Sequence, residues 1–376
     1  MFWYGLVPVA GALVSRRHWR RFRACFDRLR LAPLLDYARY TAGGGAQGGR
    51  VETLGDGTQA AGQRRFRFTG AFESITDGHT LWVQGPDLTI PVALAGAQIY
   101  TLPAAEGRPG RESFDPAEEA PQRLRWDRVA TLTEEARVYV GGSLTLRENR
   151  WVFAAVPDSP LQVIFYTGSD RSMAIQAVRS GRHQNEYWNA VTPYALALGA
   201  LCLIAMAAAF LPRPAFRLTA ITAFAAAFIP LYPLVPPGLL LAISYRRLWW
   251  QARLFRACRD LARLPLLYPG GRLPGGERYG ARRCGERPEG FPLLAPGMRK
   301  PRKESWYLFG ALDSEGGVPR EPEDSFAPFG AIPGDPEKLA RRCARNAYLL
   351  EILSWLLLMG GIGLNAFFIA LIITLL

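Results

Sequence analysis

Lysine and histidine are scarce in this chain of 376 residues. Of its 45 basic residues only Lys300, Lys303 and Lys338 are lysines, so 45 minus 3 leaves 42 arginines, beside three histidines. His18, His79 and His183 are scattered, and none has a histidine or cysteine partner at ligand spacing. The five cysteines, Cys25, Cys202, Cys258, Cys284 and Cys343, contain no C-x-x-C pair. A zinc site and a disulfide framework are thereby set aside, and no metal or cofactor is expected. Also missing are the phosphate-binding G-x-x-x-x-G-K-[ST], the nucleophile elbow G-x-S-x-G and H-E-x-x-H. No residue is assigned a catalytic role, and the reading is non-enzymatic. The apolar segments carry almost no ionisable side chain, which counts against an ion pump or secondary transporter. No charged leader with a small-residue cleavage site opens the chain, so Met1–Val14 is expected to be retained.

The excess of basic over acidic residues gives a formal net charge of +13. Such a balance raises the question of nucleic acid. Here the arginines cluster beside apolar segments, the arrangement of the positive-inside rule, and no nucleic-acid partner is expected. An arginine-rich helix with one cysteine occurs three times. Phe22-Arg23-Ala24-Cys25, with Asp27 and Pro33-Leu34-Leu35, is matched by Phe255-Arg256-Ala257-Cys258, with Asp260 and Pro265-Leu266-Leu267. Leu339-Ala340-Arg341-Arg342-Cys343-Ala344-Arg345 is a looser echo. The cysteines sit among arginines that lower a thiol pKa, which allows a redox or acylation role. Packing on the apolar edge of each helix is the simpler account.

The apolar runs divide the chain. Residues 1–14 form a short N-terminal membrane segment, below the ~20 residues needed to cross ~30 Å of hydrocarbon, so it spans thinly, lies at the interface, or is a span clipped by a wrongly chosen start codon. Residues 15–41 read as a basic amphipathic interfacial helix, with Trp19, Phe22, Phe26 and Leu29 at helical spacing. Residues 50–180 read as a cytoplasmic β domain of five to seven short strands, including Arg64–Thr69, Thr80–Gln84, Thr89–Leu94, Arg137–Leu146, Trp151–Val156 and Leu161–Tyr166. Within it Pro103–Gln122 is an acidic, Pro/Gly-rich loop. A transmembrane helix is expected at 190–211 and a Pro-kinked one at 218–243, where Pro230, Pro233, Pro236 and Pro237 allow either a kink or a re-entrant pair. A second basic amphipathic helix occupies 244–264. Residues 265–334 read as a Gly/Pro-rich cytoplasmic insert, poorly packed or partly disordered, with one strand at Trp306–Phe309. Asp335-Pro336-Glu337 spells a helix start, from which 335–376 runs as one long helix ending in a C-terminal span.

The arginine clusters at Arg16–Arg30, Arg246–Arg263 and Lys338–Arg345 place those ends, the β domain and the insert in the cytoplasm. The fold class expected is a multi-pass α-helical membrane protein with an inserted small β-barrel or sandwich, OB-like, soluble domain. The location expected is a bacterial inner membrane. Candidates for contact with lipid headgroups are Arg182, His183, Glu186 and Trp188, just ahead of the 190–211 segment, and Arg20, Arg21, Arg246 and Arg247 on the basic helices. Glu351 is expected to pair with Arg345 or Arg342.

One stretch carries a family pattern. Glu134-Glu135, then Val138-Tyr139-Val140-Gly141-Gly142, Trp151-Val152-Phe153, Ser159-Pro160-Leu161 and Ile164 precede a helix and an apolar run. Upstream lies Asp87-Leu88-Thr89-Ile90-Pro91-Val92. The order resembles the membrane-anchored β domain of the GIDE-type family, which includes mitochondrial ubiquitin ligases and uncharacterised bacterial membrane proteins. The resemblance covers about a third of the chain. It implies a compact β domain held near a bilayer for interaction or regulation. The ligases' RING, with its paired cysteines, has no counterpart here, so ligase activity is not implied. The function expected is a scaffold or assembly factor, with anionic lipid headgroups and a membrane or cytoplasmic protein as partners. The alternative is a lipid-binding or lipid-modifying protein at the interface.

Overall fold

The computed structural model describes residues 2–44, 65–102, 121–125, 129, 136–147, 150–157, 159–179, 189–236, 238–268, 271–294, 305–313 and 317–375. The chain divides into two units. The larger comprises Arg21–Gly181 and Asp260–Leu339; the smaller comprises Met1–Arg20, Arg182–Arg259 and Ala340–Leu376.

The larger unit is built on a mixed sheet. Its strands are β1 (Arg65–Thr76), β2 (Thr80–Gln84), β3 (Thr89–Ala93), β4 (Gln98–Thr101), β5 (Gln122–Arg123), β6 (Arg137–Arg147), β7 (Arg150–Ala154) and β8 (Gln162–Tyr166). They lie in the order β1-β2-β3-β7-β6-β8-β4-β5, and β1 also pairs with β6. That extra pairing, from Arg65↔Ser143 to Ala71↔Arg137, closes β1, β2, β3, β7 and β6 into a ring. The one parallel join in the ring is β3–β7 at Val92↔Phe153. Asp77 and Gly78, both at positive φ, make the tight β1–β2 turn, whose closing bond runs from His79 N–H to Thr76 O at 3.2 Å. Paired positive φ values are the geometry that suits a twisted hairpin.

Side-chain alternation on these strands feeds two apolar cores. Phe66, Phe68, Val138, Val140, Val163 and Phe165 point to one face and join Leu81, Val83, Ile90, Val92 and Phe153. Their neighbours Tyr139, Ile164 and Tyr166 point to the other, where they meet Phe22 and Phe26 of helix α1 (Val7–Leu29) and Met173 and Ala177 of α3 (Asp170–Arg179), α2 being Tyr37–Gly44. With both faces covered, the period of two persists but neither face is polar. Gly141 lies where Leu29 approaches the sheet: a Cβ there would sit 2.9 Å from Leu29 Cβ, closer than packed carbons come.

The apolar stripe of the first basic helix therefore meets protein. Phe22, Phe26 and Leu29 are buried against the sheet's outer face, where an interfacial helix would turn them to lipid. Residues 265–334 also depart from expectation. Tyr279–Cys284 (β9), Trp306–Ala311 (β10) and Gly330–Pro333 (β11) form an antiparallel sheet ordered β11-β10-β9, with Leu308, Phe309, Ala331 and Ile332 buried. Small and apolar residues at Gly310, Ala311 and Ala331 let these short strands pack closely despite the surrounding glycine and proline. The helix that follows, α7 (Pro336–Leu375), is capped by Asp335, whose Oδ1 accepts from the N–H of Glu337 (2.9 Å) and Lys338 (3.2 Å). Proline at its first position has no N–H to leave unpaired.

The smaller unit is helical. Besides the start of α1 and most of α7 it holds α4 (Thr192–Phe210), α5 (Arg217–Ala227) and α6 (Gly238–Arg263) up to Arg259. Tyr4 Oη donates to Ala227 O at 2.9 Å, and Asn189 Nδ2 donates to Pro8 O at 3.0 Å. Between α5 and α6, Ile229–Leu234 winds as a 3-10 turn containing Pro230. Asn365 of α7, almost fully buried, donates its amide N–H groups to Tyr232 O and, at 2.9 Å, to Val235 O, carbonyls that also accept from the backbone N–H groups of Val235 (3.2 Å) and Leu239 (3.1 Å).

These elements correct the multi-pass α-helical fold class. Among the described residues two helices are long and apolar enough to cross a membrane, Thr192–Phe210 and Pro336–Ile372, by length and composition. The segment at 218–243 is divided into the 11-residue α5, the 3-10 turn and the start of α6, because proline lacks the N–H that an unbroken helix needs. The segment at 1–14 is one π-helical turn, Phe2–Leu6, and the first turns of a helix that continues into arginines. Much of the rest of the chain belongs to the mixed sheet and the helices packed on it.

Candidate functional site

The headgroup candidates Arg182, His183, Glu186 and Trp188 lie outside the described residues. Arg20 and Arg21 are exposed on α1, and Arg246 and Arg247 are exposed on α6. Their exposure follows from helical spacing. On α6 the residues Tyr245, Trp249, Arg253 and Arg256 recur every three or four positions along one side, from which Trp249 and Arg256 reach α7, while Arg246 and Arg247 lie off that side.

The face toward α7 is an aromatic and charged ladder within the smaller unit. Tyr245 stacks on Trp249 with ring centroids 5.9 Å apart. The Arg253 guanidinium carbon lies 4.9 Å from the Trp249 centroid, a cation–π distance. Trp249 meets Trp355 of α7 edge-on at 6.3 Å. One turn further, Arg256 pairs with Glu351. Glu351 was expected to pair along its own helix with Arg345 or Arg342; the facing helix supplies the nearer guanidinium.

The larger unit holds a second polar constellation, buried between the sheet and its helices. Arg67 on β1 is 1% exposed. Its two terminal nitrogens pair with the two carboxylate oxygens of Asp324, one at 2.9 Å, and its Nε donates to Ala32 O at 2.7 Å. The guanidinium also stacks over Phe326 at 5.0 Å. Nearby, Arg30 lies 3.5 Å from Asp27 and 6.0 Å from the Tyr268 ring centroid, and Arg23 lies 3.5 Å from the other oxygen of Asp27. At the start of α3, Asp170 accepts from Tyr166 Oη (2.7 Å) and Thr69 Oγ1 (3.1 Å) and pairs with Arg137 (2.9 Å). Arg67 and Arg137 are paired at hydrogen-bond distance and brace the packed core, whereas the fully buried Arg30 stands near Asp27 and Tyr268 with no hydrogen-bond partner for its guanidinium nitrogens among the described residues. The local sequence carried no signal of the Arg67–Asp324 pair, because its members are 257 positions apart.

Burial dominates the proton affinities here. It pushes the Cys25 thiol up from 9.0 to about 11, despite the opposing pull of Arg28 and Arg65. Cys25, Cys258 and Cys343 are all buried, so the packing account of the three cysteines is the one this geometry favours. Burial likewise raises the phenols of Tyr139, Tyr268 and Tyr279, and at Tyr166 burial is reinforced by Asp170. Each group holds its proton more tightly in the folded chain than in the unfolded one. The sign follows: this contribution to stability is complete below the unfolded values and is lost as pH rises through the folded ones. The melting temperature of the larger unit is expected to be level up to about pH 9 and to fall from there through pH 11, as the unfolded thiol and phenols ionise while the folded ones do not. A near-ultraviolet titration checks this. All fourteen tyrosines titrating in the ordinary phenol range, with no change in melting, would show that these rings are not buried as described.

Among the described residues no group of three histidine, cysteine, aspartate or glutamate side chains is arranged to hold a metal ion. No family model, no curated protein and no solved structure matches the chain.

Proposed function

We propose that this chain is a membrane-associated scaffold or assembly protein, non-enzymatic, whose smaller unit holds it at a bilayer and whose larger unit offers a docking surface to a protein partner. The observation that carries the membrane part is the exposure of apolar helix faces above which the arginine and aromatic ladder begins. Tyr194 and Leu201 on α4, and Leu356 and Phe367 on α7, are all more than 60% exposed. Bare apolar faces of that length are stable only against lipid or another protein. The positive-inside argument supports a bacterial inner membrane with the larger unit on the cytoplasmic side. The scaffold part is supported by a buried, braced β unit and by the resemblance to the GIDE-type domain, which is used for interaction.

The full-length tagged protein, prepared from its own membranes, tests both parts. It is expected to stay with the membrane pellet after alkaline carbonate washing and to come away in mild detergent with a stoichiometric protein partner. Release by carbonate would end the membrane reading. Retention with no partner, across several mild detergents, would end the scaffold reading.

A further inference from the structure

The outward face of α6 carries an ordered stripe. Leu240, Ile243, Arg247 and Trp250 follow at intervals of three, four and three, so they stack along one side of the helix, with Leu239 and Arg246 beside them. All six are exposed; Leu240 is 71% so and Trp250 42%. From Leu240 to Arg247 the helix rises about 10 Å. Apolar side chains, paired guanidinium groups and an amphipathic ring thus succeed one another over the depth that separates acyl chains, phosphate and headgroup. The opposite face is already committed to protein, through Trp249 on Trp355 and Arg256 on Glu351. No acidic residue occurs on α6 before Asp260 to neutralise the outward pair.

We infer that this stripe is a binding site for a phospholipid of net negative charge. The acyl chains lie on Leu239, Leu240 and Ile243. Arg246 and Arg247 donate N–H groups to the phosphate, and Trp250, one turn further from the apolar end, packs at the level of the headgroup. Guanidinium groups suit phosphate because each presents a planar fork of donors. A zwitterionic lipid brings an ammonium group that gains nothing from two neighbouring cations, so the site discriminates by charge. This site rests on the membrane-associated reading above and adds the lipid class and the residues that select it.

The test uses the full chain reconstituted in phosphatidylcholine vesicles doped with brominated phosphatidylglycerol or with brominated phosphatidylcholine, whose bromines quench neighbouring indoles. Brominated phosphatidylglycerol is expected to bind about fivefold or more in preference. The preference should disappear in the exposed double variant Arg246→Gln/Arg247→Gln, and Trp250→Phe should remove the selective part of the quenching. Equal quenching by both lipids in the unaltered protein would overturn the site and leave membrane association standing. So would a preference untouched by the double variant. If neither lipid quenches, the membrane reading itself fails.

Discussion

Asp324→Ala is expected to destabilise the larger unit by about 3–5 kcal/mol, the cost of leaving one partner of a buried ion pair without the other. The reason is the surroundings of Arg67. With 1% of its surface exposed, its guanidinium cannot recover hydration when the carboxylate is removed. Two of its charge-assisted bonds go at once, and only the Nε bond to Ala32 O remains. The same aspartate accepts the backbone N–H of Phe326 at 3.0 Å, so the turn that places Phe326 under the guanidinium loosens too. Thermal unfolding of the full chain, followed by near-ultraviolet circular dichroism, measures the loss. The double variant Arg67→Met/Asp324→Leu separates the causes. Replacing both charges by apolar groups removes the uncompensated cation, and most of the lost stability should return. If the single variant melts like the unaltered protein, the pair is not buried as described.

Phe26→Ala is expected to cost about 3–5 kcal/mol, the usual range for deleting a fully buried aromatic ring. Phe26 has no exposed surface. Its ring lies parallel to that of Phe22 at 6.2 Å and meets Tyr139 of β6 at 5.7 Å. Tyr139 in turn meets Phe326 at 5.2 Å, so the ring on α1 is coupled through the sheet to the segment that carries Asp324. A cavity here loosens three elements together. Hydrogen exchange should show faster opening of β6, while Arg28→Ala, on the exposed side of the same helix, should leave exchange unchanged. This pair of variants also decides whether the stripe faces protein or lipid. A lipid-facing phenylalanine could be shortened with little effect on β6.

Some of this architecture is legible in the chain itself. The start of α7 is readable because an N-cap is a local device: an aspartate oxygen, a proline and an acidic residue act within one turn. β2 and β3 are readable because β-formers run between Gly78 and Gly85 and again from Thr89. The apolar period of α1 is visible as well, but periodicity reports only that a face is apolar and not what covers it. Lipid was the expectation; the cover of Phe22 and Phe26 is the tyrosine face of the sheet. At 218–243 the four prolines signal a kinked span or a re-entrant pair; that they divide the segment into an 11-residue helix, a 3-10 turn and the start of α6 is seen only in the structure. In the 265–334 region the apolar run at Trp306–Phe309 shows as a strand, while glycine and proline obscure the two that pair with it. Of the headgroup candidates, Arg246 and Arg247 were visible as part of a run of arginines. Which arginines on α6 turn outward was not, since that depends on where α7 lies.

The sequence by itself determined the short-range features: helix starts, tight turns, alternation in the strands, and the placing of arginine beside apolar runs. Each depends on residues within a turn or two of one another. The tertiary structure alone decided which apolar faces are buried in protein, which arginines are neutralised and which are left outward. Those outcomes rest on pairs such as Arg67 with Asp324 and Arg256 with Glu351, 257 and 95 positions apart. Burial and charge compensation are settled by whatever the fold brings alongside, and no local pattern records it.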